Sequence, residues 1–218
     1  MTKFLSAIAT AAVLLTGASA AQAGVIYNPI LNSVAFDAAP APGETMVMDF
    51  DNPIAAGYSM TWANAGLHQG PLVPGIAAPP LGDPTKYLSV YTGGIATLNA
   101  PGTLNSLSVY LGSIDSYNTI TFNGKNGFSQ SFSGSQLYAP ANGNQFDAST
   151  NRRLYFTFDP ADLVDQVVFS SSGNSFEFDN IAANDPPNRV PEPVTLSLFV
   201  AGLAGAAALR RRKQAMPA

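Results

Sequence analysis

The sequence predicts an all-β chain: one antiparallel β-sandwich domain, jelly-roll-like in its strand order. Three observations lead there. Short segments rich in Val, Ile, Phe, Tyr and Thr recur between polar turns, and no stretch of the body keeps a helical period of 3.6. Gly and Pro are abundant, at 19 and 17 residues, and charged residues make up only 11% of the chain, against about 25% in an ordinary soluble domain. Two Asn-Gly pairs within Asn123-Gly124-Lys125-Asn126-Gly127 supply the positive-φ positions of a hairpin turn.

The elements follow in order. Residues 24–42 read as irregular, and MVMDF (46–50) as the first strand. Residues 52–86 carry six prolines and several glycines and read as one long loop or flap. Strands are then expected at Ile95–Leu98, Leu107–Leu111, Thr119–Phe122, Phe128–Phe132, Leu154–Phe158, Val167–Phe169 and Phe176–Phe178. In Leu154–Phe158 the alternation places Leu154, Phe156 and Phe158 on one face. Ala161–Val168 offers at most one helical turn. A jelly roll brings the outermost strands, MDFDN (48–52) and FEFDN (176–180), side by side.

Both ends of the 218-residue chain read as targeting segments. Residues 1–23 have the three parts of a signal peptide: Lys3, the apolar run Phe4–Leu15, and Ala21-Gln22-Ala23, which places cleavage between Ala23 and Gly24. Ala18-Ser19-Ala20 offers a second site three residues earlier. At the other end, Pro191-Glu192-Pro193 fixes an extended segment, since proline has no place inside a helix. The uncharged run Val194–Leu209 follows; as a helix its 16 residues cover about 24 Å, a short transmembrane span. Arg210, Arg211, Arg212 and Lys213 then hold that end in the cytoplasm, which places the body on the outer side of the inner membrane.

The ordered set VPEPVTLSLFVAGLAGAAALRRRK, paired with a signal peptide, resembles the PEP-CTERM sorting signal, here residues 191–213. The resemblance implies export, transient anchoring in the inner membrane, and processing by an exosortase after signal peptidase. It also implies a final place on the cell surface or in an extracellular matrix rich in exopolysaccharide, as in biofilms. The blocks YTGGIATL (91–98), SVYLGSIDSYNTITFNG (108–124) and FEFDNIA (176–182) resemble exosortase-dependent surface proteins that carry such tails. That likeness implies a shared fold and carries no activity.

Between the ends, residues 24–190 form a single body with five basic and thirteen acidic residues, a formal charge of −8. An acidic body without a basic patch excludes nucleic acid as a partner class. The chain has no cysteine, which excludes thiol catalysis, thiolate metal sites and disulfides. The single histidine, His68, sits in the Gly-Pro-rich stretch NAGLHQGP, and no G-x-S-x-G elbow occurs, so no catalytic residue is assigned. Asp49 and Asp51 share one face of a strand, and Glu177 and Asp179 do the same. If the outermost strands are neighbours, Asp49 or Asp51 meets Asp179, and hard carboxylate oxygens there would suit a structural Ca²⁺. Trp62, Tyr87, Tyr91, Tyr110, Tyr117 and Tyr138 are candidates for stacking on sugar rings or for packing in the core. Three functions remain open: a non-enzymatic surface or matrix protein, a carbohydrate-binding module, or a secreted glycoside hydrolase built on a carboxylate pair.

Overall fold

The computed structural model describes residues 24–185. The expected signal peptide (1–23), residues 186–190 and the expected sorting signal with Pro191–Pro193 and Arg210–Lys213 lie outside the described residues. Among the described residues no helix is long and apolar enough to cross a membrane.

Ten strands form one curled antiparallel sheet, sandwich-like in cross-section: β1 Ser33–Ala35, β2 Thr45–Met48, β3 Ser59–His68, β4 Tyr87–Asn99, β5 Ser106–Gly112, β6 Asn118–Gly124, β7 Ser129–Ser133, β8 Arg152–Thr157, β9 Val164–Ser171 and β10 Phe176–Asn184. One turn of α-helix, α1, spans Gly134–Leu137, and a 3-10 turn spans Pro160–Asp162. The ladder runs β1-β8-β5-β10-β4-β9-β6-β7, with β2 added to β10 and β3 to β4.

The corner between the layers lies in β3 and β4. The first part of β4, Leu88–Val90, pairs with β10, while Gly94–Asn99 pairs with β9. β3 accompanies both parts and slips register between Ala63 and Ala65. Asn64 and Gly93 take positive φ at that point, and the Asn64 side chain donates to the Thr92 carbonyl. A bulge of this kind lets one strand serve two packed layers.

Alternation decides what lies between the layers. Phe176 and Phe178, Leu88 and Val90, Leu107, Val109 and Leu111, Leu154 and Phe156, Ile120 and Phe122, and Val167 and Phe169 point inward into one core. Phe169 and Phe178 stack across it at 4.1 Å between ring centroids. The expected hairpin is present: β6 and β7 pair from Thr119–Ser133 to Asn123–Ser129, with Gly127 at φ +86°.

The structure corrects the sequence reading in three places. β1 lies in the stretch read as irregular, so MVMDF is the second strand, and it ends at Met48. The 52–86 segment is not one loop, because Ser59–His68 within it is β3. Most of β3's side chains are exposed on both faces, so it shows no apolar alternation; its ladder to β4 holds it. β2 does pair with β10, but through Thr45–Met48 against Ile181–Ala183, with Met48 opposite Ile181, so MDFDN and FEFDN do not pair along their lengths.

What remains of the long loop, residues 69–86, is a strap that crosses the outer face of β10. That face carries Glu177 and Asp179, flanked by Ser89 on β4 and by Gly112 and Tyr110 on β5. Pro80 of the strap sits so close to Gly112 that a Cβ there would stand 2.9 Å from the Pro80 Cα. The Tyr110 hydroxyl donates to the Leu81 carbonyl, and the Leu81 amide donates to Asn151 Oδ1. Residues 37–44 cover the rest of the face. There Arg153, 1% exposed, pairs with Asp37 at 2.7 Å and donates to Ser108 Oγ at 3.0 Å.

Candidate functional site

Where the strap meets one end of the sheet, four other pieces of chain converge: the β5–β6 turn, the loop before β8, the β9–β10 turn and the start of β10. They enclose a cavity of about 260 Å³. Its polar lining comes from Ser113, Asp115, Tyr117, Asn142, Gln145, Asn174, Ser175 and Glu177, and the strap contributes Val73 and Gly75–Ala78. That volume suits one small polar unit better than a drug-sized ligand, for which sites run from about 300 Å³ upward.

Each wall is fixed by local hydrogen bonds. The Asp115 amide donates to Asn118 Oδ1 at 2.7 Å, and Asn118 Nδ2 donates to the Ser175 carbonyl at 3.2 Å, which joins the β5–β6 and β9–β10 turns. Asp115 also bridges to Asn142. The Gly143 amide donates to the Ile114 carbonyl at 3.0 Å, which draws the loop before β8 over Asp115. On the opposite wall, the Asn174 side-chain amide donates to the Gly75 carbonyl of the strap.

Glu177 forms the floor. Its Oε1 accepts from the Ala78 amide at 3.1 Å and the Ser89 hydroxyl at 3.4 Å, and also from the Ser175 hydroxyl; its Oε2 accepts from the Ser113 hydroxyl at 3.1 Å. The residue is 2% exposed, and burial pushes its carboxyl above the usual range even though these hydrogen bonds oppose the shift. Asp115 stands on one wall with Oδ2 accepting from the Tyr117 hydroxyl at 2.6 Å. Burial raises its carboxyl too, against that hydrogen bond. The Tyr117 phenol is pushed up by burial and by its contact with Asp115. Two raised carboxyls in one cleft are a physical mark of a functional site.

Gln145 and Ala78 also line a neighbouring groove of about 440 Å³ on the far side of the strap. Its walls are mostly apolar, from Leu72, Pro79, Pro80, Leu81, Pro84 and Phe146, with Asp83 as the one acidic residue. Phe146 is 79% exposed, so its ring is presented to solvent beside the polar cavity.

The residues singled out in the sequence fall in several places. Asp49, Asp51 and Asp179 do not converge. Asp49 accepts from the Asn52 side chain at 2.7 Å and from the Asn52 and Asp51 amides. Asp51 pairs with Lys86 at 3.6 Å and accepts its amide at 3.1 Å. Asp179 lies under the strap beside Asp83 and Thr85. Among the described residues no group of three or more His, Cys, Asp or Glu is arranged to hold a metal ion, so these three carboxylates do not fit a shared Ca²⁺. The reason is register. Met48 pairs with Ile181, and the chain turns away after it, so Asp49 and Asp51 never come opposite Asp179.

His68 is not in a loop; it ends β3, stacked on Tyr87 and 2.7 Å from the Tyr91 hydroxyl. Tyr87 and Tyr110 are fully buried, Tyr138 lies under the Arg152 guanidinium, and Trp62 is half exposed on β3. Of the aromatic candidates, only Tyr117 reaches the polar cavity. Sequence reasoning paired Glu177 with Asp179 but missed Asp115, Asn142 and Asn174. Each lies in a separate turn, and only the ladder order brings them together.

No family model and no curated protein matches the chain. Among solved structures, the family 32 carbohydrate-binding module from C. perfringens NanJ, in complex with galactose, aligns with 64% of this chain and 98% of its own, at 8% identity and a TM-score of 0.36. The family 11 carbohydrate-binding module of the Clostridium thermocellum cellulase Lic26A-Cel5E aligns with 67% of this chain and 97% of its own, at 16% identity and a TM-score of 0.31. A peptidoglycan O-acetylesterase aligns with 67% of this chain at 17% identity and a TM-score of 0.36, and the chain spans 35% of that enzyme's length. Similarity this remote transfers nothing to the residues of the cavity.

Proposed function

We propose that this is an exported surface protein whose sandwich body binds a glycan unit in the cavity between Asp115 and Glu177, without chemistry. The observation that carries the proposal is the cavity lining: carboxyl, phenol and carboxamide groups from four separate pieces of chain face one small volume, with the strap as its fifth wall. Such a set offers donors and acceptors in the alternating pattern that sugar hydroxyls require. Phe146, exposed on the adjoining groove, supplies an apolar face for a sugar ring.

Binding is favoured over hydrolysis by what Glu177 already does. Four donors engage its two oxygens, three of them on Oε1, so the carboxyl is held in place as part of the cavity floor. That leaves Asp115 as a lone accessible carboxyl, where a glycoside hydrolase needs two.

The export and sorting half of the proposal is supported by the chain ends: a signal peptide cleaved at Ala23–Gly24 and an exosortase signal at Pro191-Glu192-Pro193, with its basic anchor Arg210–Lys213. Exopolysaccharide of the producing cell is the natural glycan for such a protein. The test is calorimetric titration of the full-length protein, in mild detergent, with oligosaccharides released from that polysaccharide. Saturable binding that falls at least tenfold in Asp115→Asn is expected; equal binding by both proteins would remove the cavity as the site.

A further inference from the structure

Where the strap crosses β10, two carboxyl groups from different segments meet. Asp83 comes from the strap and Asp179 from β10. Asp83 Oδ1 accepts from the Thr85 amide at 2.8 Å and from the Thr85 hydroxyl. That same hydroxyl lies 3.1 Å from Asp179 Oδ2. The other oxygen of each carboxyl, Asp83 Oδ2 and Asp179 Oδ1, is buried and has no hydrogen-bond partner. One hydroxyl thus lies between the two carboxyls, which brings them close together under the strap.

The hydrogens can be counted. Thr85 brings one from its amide and one from its hydroxyl, and both are directed at these carboxyls. Two ionised carboxylates would therefore face each other with one bare oxygen apiece, in a place where Asp179 is 0% exposed. Like charges at that range inside a protein do not both persist. One added proton held by the pair removes one charge and supplies a donor where two buried carboxyl oxygens have none.

The surrounding charged groups offer no other compensation. Arg153, from β8, is paired with Asp37 at 2.7 Å, and Lys86 is paired with Asp51 at 3.6 Å. From β4, the Tyr87 hydroxyl is buried without a partner, and His68 of β3 stacks on its ring. From β5, the Tyr110 hydroxyl donates to Leu81. Along β10, Glu177 is engaged by its own four donors.

We propose that Asp83 and Asp179 share one proton in the folded protein, and that this carboxyl–carboxylate pair latches the strap over the polar cavity and releases it as pH rises. β10 is tied by ladders to both β4 and β5, so on ionisation the strap is the side that yields. The strap residues Val73–Ala78 form one wall of the cavity, so the latch also governs its closure. The shared proton stands independently of what the cavity binds.

Burial and the neighbouring Asp83 push the Asp179 carboxyl up to about 9. The sign follows: the folded value lies above the unfolded one, so folding takes up a proton across neutral pH. The latch contributes fully in acid and is lost as pH rises toward about 9.

The test uses full-length protein in mild detergent. Infrared spectra at pH 7 should show a protonated-carboxyl stretch that weakens in Asp83→Asn, where the new side-chain amide donates to an ionised Asp179. Between pH 5 and pH 8, the dependence of unfolding stability on pH should be shallower by one proton in Asp83→Asn than in the parent. Asp179→Asn should give the same change if it folds, and the parent's infrared titration decides if it does not. A parent spectrum without the band at pH 7 overturns the proposal. So does a Ca²⁺-dependent rise in Tm that Asp83→Asn abolishes, since the pair would then hold a cation instead.

Discussion

A methyl group added at Gly143 would stand 2.5 Å from both carboxylate oxygens of Asp115. Gly143 also holds φ at +66°, a region that L side chains rarely adopt. The loop before β8 therefore lies on Asp115 only because this residue has no side chain. Gly143→Ala should push the loop off the carboxyl, abolish ligand binding and lower stability by about 1–2 kcal/mol. Denaturant unfolding alongside calorimetric titration measures both effects, and a variant that still binds would show that the loop is no part of the site.

Phe146 leads to the opposite pairing of outcomes. It is 79% exposed, so truncation removes almost no buried area. Phe146→Ala should leave Tm within a degree or two of the parent while weakening glycan binding about five- to tenfold, the scale of one lost aromatic contact. Unchanged affinity would place the sugar ring elsewhere.

Glu177 is where pH and packing meet. Its carboxyl is raised by burial, so its folded value lies above its unfolded one, and it adds to the fall in stability as pH rises from the ordinary carboxylate range through its raised value. Glu177→Gln keeps the shape, loses one acceptor and should flatten that fall. Glu177→Ala strands the Ala78 amide and three serine hydroxyls, each a buried donor worth about 1–3 kcal/mol when unpaired. The alanine variant should lose at least about 2 kcal/mol, and Tm profiles of the pair across pH 5–8 check both statements.

How much of this was legible in the sequence depends on where the deciding interactions lie. Leu154, Phe156 and Phe158 alternate within a few residues, and Asn-Gly turns are local, so β8 and the β6–β7 hairpin were readable. Likewise, FEFDN placed Glu177 and Asp179 on one face. It did not show that this face is roofed, because the roof is a Pro-rich strap whose contacts with Gly112 and Tyr110 are tertiary. β3 was missed because Thr61, Trp62, Ala63 and Asn64 are all exposed and its order comes from β4. The polar cavity was missed for a related reason: Asp115, Asn142 and Asn174 become neighbours only once β5, β8 and β10 are laid side by side. Nor does a pattern of alternating acids carry the register, with Met48 opposite Ile181, that leaves Asp49 and Asp51 beyond the end of the β2–β10 ladder.

Arg153 and Asp37 tie residues 37–44 to β8. The guanidinium is 1% exposed, whereas the Asp37 side chain is 37% exposed, so the pair is buried on one side only. Removing one partner of a fully buried pair costs about 3–5 kcal/mol. Water can reach the Asp37 position, so Asp37→Ala should cost less, about 2 kcal/mol. Asp37→Asn keeps an oxygen to accept from Arg153 and should recover about half of that loss. Urea midpoints for the two variants settle the order, and equal midpoints would show that the charge of Asp37, not its hydrogen bond, holds the arginine.

The last pairing of β10 joins Asn184 to Ser106, and the Asn105 amide donates to the Asn184 carbonyl. Among the described residues, every ladder is complete by Asn184. Deleting residues 191–218 should leave the fold and its Tm unchanged while removing the Pro-Glu-Pro motif, the apolar run and the basic cluster together. In cells that carry an exosortase, the shortened chain should appear in the periplasm as a soluble body. Replacing Arg210–Lys213 with serine should instead keep the apolar run and weaken its orientation. Fractionation with mass measurement of the mature product reads both results. A shortened body that still pellets with membranes would mean that the anchor lies within residues 24–185, contrary to the role proposed for the tail.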